Sequence, residues 1–457
     1  MVISDLKFCE HELNEILLFF EGGDYIKIRH LFAEKENKIV NTIVIDGKKS
    51  YAYGNLFKKI DDEIEYKRLI KRYAKLSLYK ALSTYTGQSL PWGALSGVRP
   101  TKMAYQSILE RGEFVEFFTD TMKVDPKKTL LIQKIIENQR NFYPVDKIYT
   151  DLYISIPFCP TRCRYCSFIS HDLKSAKNLV DEYIDALIKE INDAKKHVKN
   201  LRSIYVGGGT PVSLSDDRLE RILKAIDQIN TGVEYTVEAG RPDKITESNL
   251  KLLEKYKVNR ICINPQTFND KTLVKIGRNH TSQDIIDKFN LAKGRFIINM
   301  DLIAGLDGES YEDFKYSIDK AVSLSPDNIT VHTLSVKKGS YLAEEGKILS
   351  VKEINDMVDY AHKTLDENGY SPYYVYRQKY MAGSLENTGY FKGDTICAYN
   401  VGVMEEISRN LSCGAGAISK EVDLTAEKIE RLPAPKDLRS YIDKIDTIIE
   451  EKNSFFR

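Results

Sequence analysis

Between residues 148 and 338 short apolar runs alternate with longer amphipathic stretches. The runs are LYISI (152–156), SIYV (203–206), EYTV (234–237), RICI (260–263), FIINMDL (296–302) and NITVHTL (328–334). They are rich in β-branched and aromatic residues, which favour strands. Between them Leu179, Val180, Tyr183, Ile184, Leu187, Ile188 and Ile191 recur at helical spacing, as do Leu219, Ile222, Leu223, Ile226 and Ile229. Strands and helices in this alternation predict a parallel α/β sheet. The pattern changes on both sides. KIVNTIVI and KSYAY flank Asp46-Gly47, a hairpin turn. A helix is predicted from residue 56 to 85, stopped by Gly87, and a second over 127–140, opened by Asp125-Pro126. Residues 141–146, with Pro144, read as a linker. Ser350 and Glu353 have the spacing of a capping box for a helix ending near Gly369. Three regions are therefore expected: an α+β N-terminal domain (1–147), a parallel α/β domain (148–338) and an α+β C-terminal domain (339–457).

A chain of 457 residues is too long for one ordinary core. Its net charge of +1 gives no basic footprint for nucleic acid. No apolar run approaches the ~18 residues of a membrane span, and the first residues lack the basic-then-apolar order of a signal peptide. Seven cysteines without such a signal fit a reducing compartment, so a cytoplasmic location is expected.

The chemistry concentrates in IPFCPTRCRYCSF (156–168), where Cys159, Cys163 and Cys166 stand at CxxxCxxC spacing. Zinc usually takes four ligands from two separated pairs. Three thiolates in one loop suit a four-iron cluster that keeps one iron open. The loop follows a strand, and the C-terminal ends of strands are where α/β barrels place their chemistry. Pro160, Arg162 and Arg164 make the interval polar. Cys9, Cys262, Cys397 and Cys413 lack ligand spacing and read as core residues. The next strand ends carry GGGTP (207–211), Glu238, Gln266 and Asp301. One such polar residue would satisfy a core group; several at successive strand ends point to a ligand. His280 and His332 read as structural.

Two further stretches stay open. SLPWGALSGVRPTKM (89–103) is either an ordered loop anchored by Trp92 or a loop that brings Arg99 to an anionic substrate. SPYYVYRQKY (371–380) joins Tyr373, Tyr374, Tyr376 and Tyr380 to Arg377 and Lys379, either as an aromatic, anion-tolerant wall or as an edge strand.

The run LYISIPFC followed by PTRCRYCSF resembles the signature of radical S-adenosylmethionine (SAM) enzymes. In its fuller form it resembles the oxygen-independent coproporphyrinogen III oxidase branch, and within it the HemZ-type members, which carry an extra N-terminal region. The resemblance covers residues 151–420. It implies an incomplete (β/α)6 radical SAM barrel with a [4Fe-4S] cluster on Cys159, Cys163 and Cys166. It assigns SAM to Tyr153, Tyr165, Gly208, Gly209, Thr210, Glu238, Gln266, Arg278, Asp301 and Ile418, with Arg278 as the partner of Glu238. It implies oxidative decarboxylation of coproporphyrinogen III to protoporphyrinogen IX by a 5′-deoxyadenosyl radical. Arg162, Arg164, Arg377 and Lys379 would then meet the carboxylates of the tetrapyrrole. An electron donor such as flavodoxin or ferredoxin and a monomeric chain are also expected. Two positions depart from the oxidase pattern: Phe168 replaces a fourth cysteine and Ser155 a histidine. Phe168 is shared with HemW-type haem chaperones. Haem binding with a retained cluster is therefore a second implied function, and radical chemistry on another tetrapyrrole a third.

Overall fold

The computed structural model describes residues 1–57, 60–95, 97–143, 147–166, 170–335, 351–378, 385–423 and 428–456. The chain forms two compact units rather than three domains: Met1–Gln133 with Arg377–Leu385, and Lys134–Tyr376 with Glu386–Arg457. The expected divisions at 147 and 338 are not where the structure divides, because the C-terminal strands continue the central sheet. The positions of Pro144, Phe168, Ser350, Lys379 and Tyr380 lie outside the described residues.

In the first unit β1 (Val2–Ser4), β2 (Ile28–Lys35), β3 (Lys38–Ile45) and β4 (Lys49–Leu56) form a sheet in that order. The predicted hairpin is β3–β4, paired from Lys38↔Leu56 to Ile45↔Lys49. The following helix is Glu63–Thr86, shorter at its start than expected, because Leu56 still belongs to β4 and Asp62 caps the helix by accepting from the Glu65 N–H at 2.7 Å. Gly87 ends it at φ +73°, a conformation that costs a residue without Cβ little. Trp92 is buried, with the Arg377 guanidinium 5.4 Å from its ring centroid.

The second unit is built on β5 (Thr150–Ile156), the two-residue β6 (Phe158–Cys159) and β7 (His171–Asp172), then β8 (Leu201–Gly208), β9 (Glu234–Gly240), β10 (Arg260–Ile263), β11 (Ile297–Ala304) and β12 (Asn328–Thr333). All six predicted strands form, and β5, β8, β9, β10, β11 and β12 lie side by side in chain order, every neighbouring pair parallel. Both predicted helical stripes face inward: Val180, Tyr183, Ile184, Leu187 and Ile191 on the helix Val180–Ala194, and Leu219, Ile222, Leu223 and Ile226 on Asp216–Asp227, are buried. Asp216, Asp217, Asp181 and Glu182 fill the first turns of these helices, where the helix dipole favours negative charge.

The later strands are β13 (Ser371–Tyr376), β14 (Asn387–Phe391), β15 (Arg409–Cys413), β16 (Ile418–Asp423) and β17 (Lys428–Pro433). The full order is β13-β14-β12-β11-β10-β9-β8-β5-β15-β16-β17. It has two ends, so the barrel is incomplete. The cysteine strand β5 is not an edge, since β15 runs parallel to it from Arg409↔Thr150 to Cys413↔Ile154. The tyrosine-rich stretch forms β13, with Tyr373 and Tyr374 buried in a cluster with Val401 and Ile407.

Candidate active site

The cysteine loop leaves β5 at Ile156 and is fixed to its surroundings by main-chain bonds. Phe158 O accepts from the Thr210 N–H at 2.7 Å, Ile276 O from the Arg164 N–H at 3.1 Å, and Cys163 O from the Cys166 N–H at 3.1 Å. Cys163 is buried, Cys159 and Cys166 are half-buried, and all three are free thiols. Cys159 Sγ lies 3.6 Å from Thr210 Oγ1. Burial pushes the Cys159 thiol up, while the Thr210 and Ser170 hydroxyls and the Arg241 charge act in the opposite direction. Among the described residues no three His, Cys, Asp or Glu side chains gather closely enough to hold a single metal ion. A cuboidal cluster is bulkier than one ion and spreads its thiolates further apart, so three loop thiols at a barrel mouth suit it better.

The glycine run after β8 is dictated by space. A Cβ on Gly209 would stand 2.4 Å from Phe158 O, and one on Gly208 (φ +99°) 3.0 Å from Ser155 Oγ and 3.2 Å from the Tyr153 hydroxyl. One on Gly207 would meet the Tyr205 ring at 2.9 Å and Glu238 Cδ at 3.0 Å. The cysteine strand and Glu238 thus approach this backbone closely.

Glu238 extends from β9 and accepts from the Tyr205 hydroxyl at 2.6 Å. Its carboxyl is pushed up to about 7, chiefly by burial and further by the Asp301 charge, against the bonds from Tyr205 and the Gly208 N–H. The expected Glu238–Arg278 pair does not form. Arg278 donates instead to the Tyr165 hydroxyl at 2.8 Å and to Asn264 O at 3.1 Å. The reason is connectivity: the main-chain bond from Arg278 N to Leu273 O ties Arg278 to the turn that ends the helix Asp270–Lys275, and this turn packs on the cysteine loop. Its Nε is buried without a hydrogen-bond partner, as is Asn264 Oδ1, so unused polar capacity remains for a ligand.

Asp301 on β11 accepts from Asn299 Nδ2 at 2.7 Å and stands 3.7 Å from His332 Nε2. Burial alone would raise its carboxyl, but His332, Asn299 and Thr330 bring it below the usual carboxylate value. Gln266 sits at φ +69°, unusual for a residue with a side chain, and exchanges main-chain bonds with the Asp301 strand: Gln266 N to Asp301 O at 2.8 Å and Ile303 N to Gln266 O at 3.0 Å. Tyr153, Tyr205 and Tyr399 stack, with centroid separations of 6.3 Å for Tyr153–Tyr205 and 4.4 Å for Tyr205–Tyr399.

The remaining candidates are dispersed. Arg162 is exposed and Arg164 half-buried on the cysteine loop. Ile418 opens β16 and is 43% exposed. Arg377 is 5% exposed; its guanidinium bonds to Leu95 O and its N–H donates to Val98 O at 2.8 Å. The Arg377 guanidinium also lies 5.4 Å from the centroid of the Trp92 ring. Tyr205, Tyr399, Asn299 and Arg241 were not singled out by sequence reasoning. Tyr205 had a signal, since strand alternation puts it two residues before Gly207.

An open parallel barrel with a three-thiol loop at the end of its first strand defines a radical SAM protein, and the Radical SAM superfamily matches residues 153–321. The chain is 37% identical over 401 residues to the oxygen-independent coproporphyrinogen-III oxidase-like protein HemZ of Bacillus subtilis (strain 168), covering 83% of this chain and 79% of that protein. It is 31% identical over 290 residues to the heme chaperone HemW of the same organism, covering 60% of this chain and 76% of that one. In fold it is similar to coproporphyrinogen III oxidase (HemN) from Escherichia coli, with a TM-score of 0.55, 21% identity and 79% of each chain covered. This chain belongs to the HemZ-like family within the radical SAM superfamily. Its cofactors are a [4Fe-4S] cluster and SAM. Among the described residues no helix is long and apolar enough to cross a membrane.

Proposed function

We propose that this chain is a radical SAM enzyme that oxidatively decarboxylates the propionates of coproporphyrinogen III. The observation that carries the reading is the similarity to the HemZ protein, which extends over 83% of the chain, well beyond the residues matched by the superfamily alone. Cluster and SAM, when bound, would supply one-electron radical chemistry at a propionate side chain, which would in net lose one hydrogen atom, carbon dioxide and one electron, the last to a one-electron acceptor, and become a vinyl group.

In this reading Cys159, Cys163 and Cys166 hold the cluster. Gly208, Gly209 and Thr210 offer main-chain groups to the methionyl amino group, and Glu238 receives its charge. Arg278, with its unused Nε, serves the methionyl carboxylate. Asp301 and Gln266 hold the ribose hydroxyls, while Tyr153, Tyr165 and Ile418 line the nucleoside. Arg162 and Arg164 remain candidates for the carboxylates of the tetrapyrrole. A flavodoxin- or ferredoxin-type protein supplies electrons, and the chain works as a monomer in the cytoplasm.

The test is anaerobic turnover of reconstituted protein with SAM, a reductant and coproporphyrinogen III, followed by mass spectrometry. The expected products are the monovinyl intermediate, then protoporphyrinogen IX, with 5′-deoxyadenosine formed in step. The HemW similarity over 290 residues favours one other reading, haem binding and delivery. Tight haem binding by a protein that leaves coproporphyrinogen untouched replaces the enzyme reading with that one.

A further inference from the structure

Arg241 and Asp243 stand beside the cysteine loop, outside the residues assigned to the cluster, to SAM or to the tetrapyrrole. Arg241 follows β9 and is 3% exposed. Its Nη1 donates to Thr161 Oγ1 at 2.6 Å and reaches Thr161 O at 3.4 Å. Thr161 lies two residues from both Cys159 and Cys163. The rest of the guanidinium is engaged by one carboxylate: Nε donates to Asp243 Oδ1 at 3.0 Å and Nη2 to Oδ2 at 3.3 Å. This two-point geometry fixes the plane of the guanidinium. Asp243 has two other neighbours of interest, His280 Nδ1 at 3.7 Å and the Lys244 ammonium at 3.7 Å. Burial would raise the Asp243 carboxyl, but His280, Arg241 and Lys244 hold it well below the usual range, so it is ionised. Burial holds His280 below its ordinary value, which leaves it neutral near pH 7.

A fixed cation therefore grips the loop between two cluster ligands, and a fixed anion grips that cation from another edge. Near a buried redox centre such charges are weakly screened. A cation favours the state with the added electron and an anion disfavours it, and local charge is one of the levers on the potential of an iron–sulphur cluster. We propose that the Arg241–Asp243 pair sets the reduction potential of the cluster as well as positioning its loop. Arg241 raises the potential and Asp243 lowers it. The proposal rests on the cluster common to the superfamily and not on the choice of tetrapyrrole, so it survives failure of the substrate assignment. Both are positioning residues, since neither is a ligand.

The experiment is a potentiometric titration of the full-length reconstituted protein without SAM, followed by electron paramagnetic resonance, with iron and sulphide measured on the same samples. Arg241→Gln is expected to shift the midpoint to more negative potential and Asp243→Asn to more positive potential. The double variant is expected between them, close to the wild type. A residue that only shaped the loop would not produce opposite signs. If Arg241→Gln fails to keep its cluster, Arg241→Lys, which preserves the charge, is expected to keep the cluster and a near-native midpoint, and Asp243→Asn alone still decides. Two midpoints that are unchanged or move in the same direction, with iron content intact, overturn the proposal; so does an unchanged Asp243→Asn midpoint.

Discussion

Replacing Glu238 by glutamine tests the proposal that Glu238 belongs to the SAM site. The Glu238 carboxyl, ordinarily near 4.5, is pushed up to about 7, chiefly by burial. That displacement corresponds to a preference for the proton of about 3 kcal/mol. Below pH 4.5 the folded and unfolded chains both hold this proton, so no penalty exists. Between 4.5 and 7 the unfolded chain releases it while the folded chain keeps it, and stability falls as pH rises; above 7 the penalty is complete. The side chain is not fully enclosed, so about 3 kcal/mol is an upper limit for what Glu238→Gln regains at pH 8, and the gain should vanish near pH 4. Glu309 is also pushed up to about 7 by burial, so the variant must be compared with the wild type at each pH for the effect to belong to Glu238. SAM carries a sulphonium and an ammonium, and if Glu238 holds the ammonium as proposed, that cation lowers its pKa. Binding at pH 6 should therefore release most of a proton, and affinity should tighten by up to tenfold per pH unit until about pH 7. Anaerobic calorimetry in two buffers of different ionisation enthalpy measures that proton. Glu238→Gln should bind SAM without it. If the variant releases the same proton at pH 6 as the wild type, another group titrates and the assignment of Glu238 fails.

Cys163→Ala should abolish the visible absorption of the cluster, whereas Cys397→Ala and Cys413→Ala should leave iron and sulphide content unchanged; full retention in the first would refute the three-thiol assignment. Asp301→Ala and Gln266→Ala should each weaken SAM binding by roughly ten- to a hundredfold, the loss of a hydrogen bond to a polar or charged group, with iron content intact; unchanged affinity by calorimetry would remove both from the ribose site. Lys452 is 3% exposed and donates to Glu190 Oε1 and Ser412 O, both at 2.5 Å. Lys452→Met should cost about 3–5 kcal/mol in urea unfolding, because a buried carboxylate loses its partner, and Glu190→Gln in the same chain should restore part of it. A single variant as stable as wild type would show that Glu190 is solvated there.

The elements legible in the sequence are those fixed by local pattern. Six β-rich runs became six parallel strands because each is short, branched and flanked by an amphipathic helix, and Gly87 ended its helix because positive φ favours glycine. The strand-end residues Glu238, Gln266 and Asp301 follow from the same register. Partners across the barrel were not legible, since they depend on where side chains of distant segments converge. The Arg278 guanidinium found Tyr165, and the Glu238 carboxylate found Tyr205. The C-terminal strands were equally hidden. Nothing in RNLSC (409–413) tells that it will pair with β5, and SPYYVY alternates too weakly to say which side of a sheet is buried. Arg377 was expected to meet the carboxylates of a tetrapyrrole, but a guanidinium also packs well over an indole ring, and it lies 5.4 Å from the centroid of Trp92.

Ser155 shows how such a hidden pairing can explain a departure from a family pattern. Where the oxidase pattern carries a histidine, this chain has a small residue one position before the end of β5. Its hydroxyl donates to Ala415 O at 2.9 Å, and its carbonyl accepts from the Tyr183 hydroxyl at 2.8 Å. That same hydroxyl accepts from the Ala415 N–H at 3.1 Å, so Tyr183 and Ser155 together hold the turn after β15. A Cβ on Gly414 would stand 2.7 Å from Ser155 O and from the Tyr183 hydroxyl, and one on Gly208 3.0 Å from Ser155 Oγ. Glycines therefore close on Ser155 from both neighbouring strands, and an imidazole in its place would have to displace one of them. The turn is secured from behind, since Gly414 N donates to Glu190 Oε2 at 2.8 Å and Glu190 pairs with Lys452. Serine at 155 is thus the residue that the β15 turn requires. The fit of this position to its own C-terminal strand accounts for the absent histidine without any loss of the cysteine loop, whose first cysteine, Cys159, lies four residues further on.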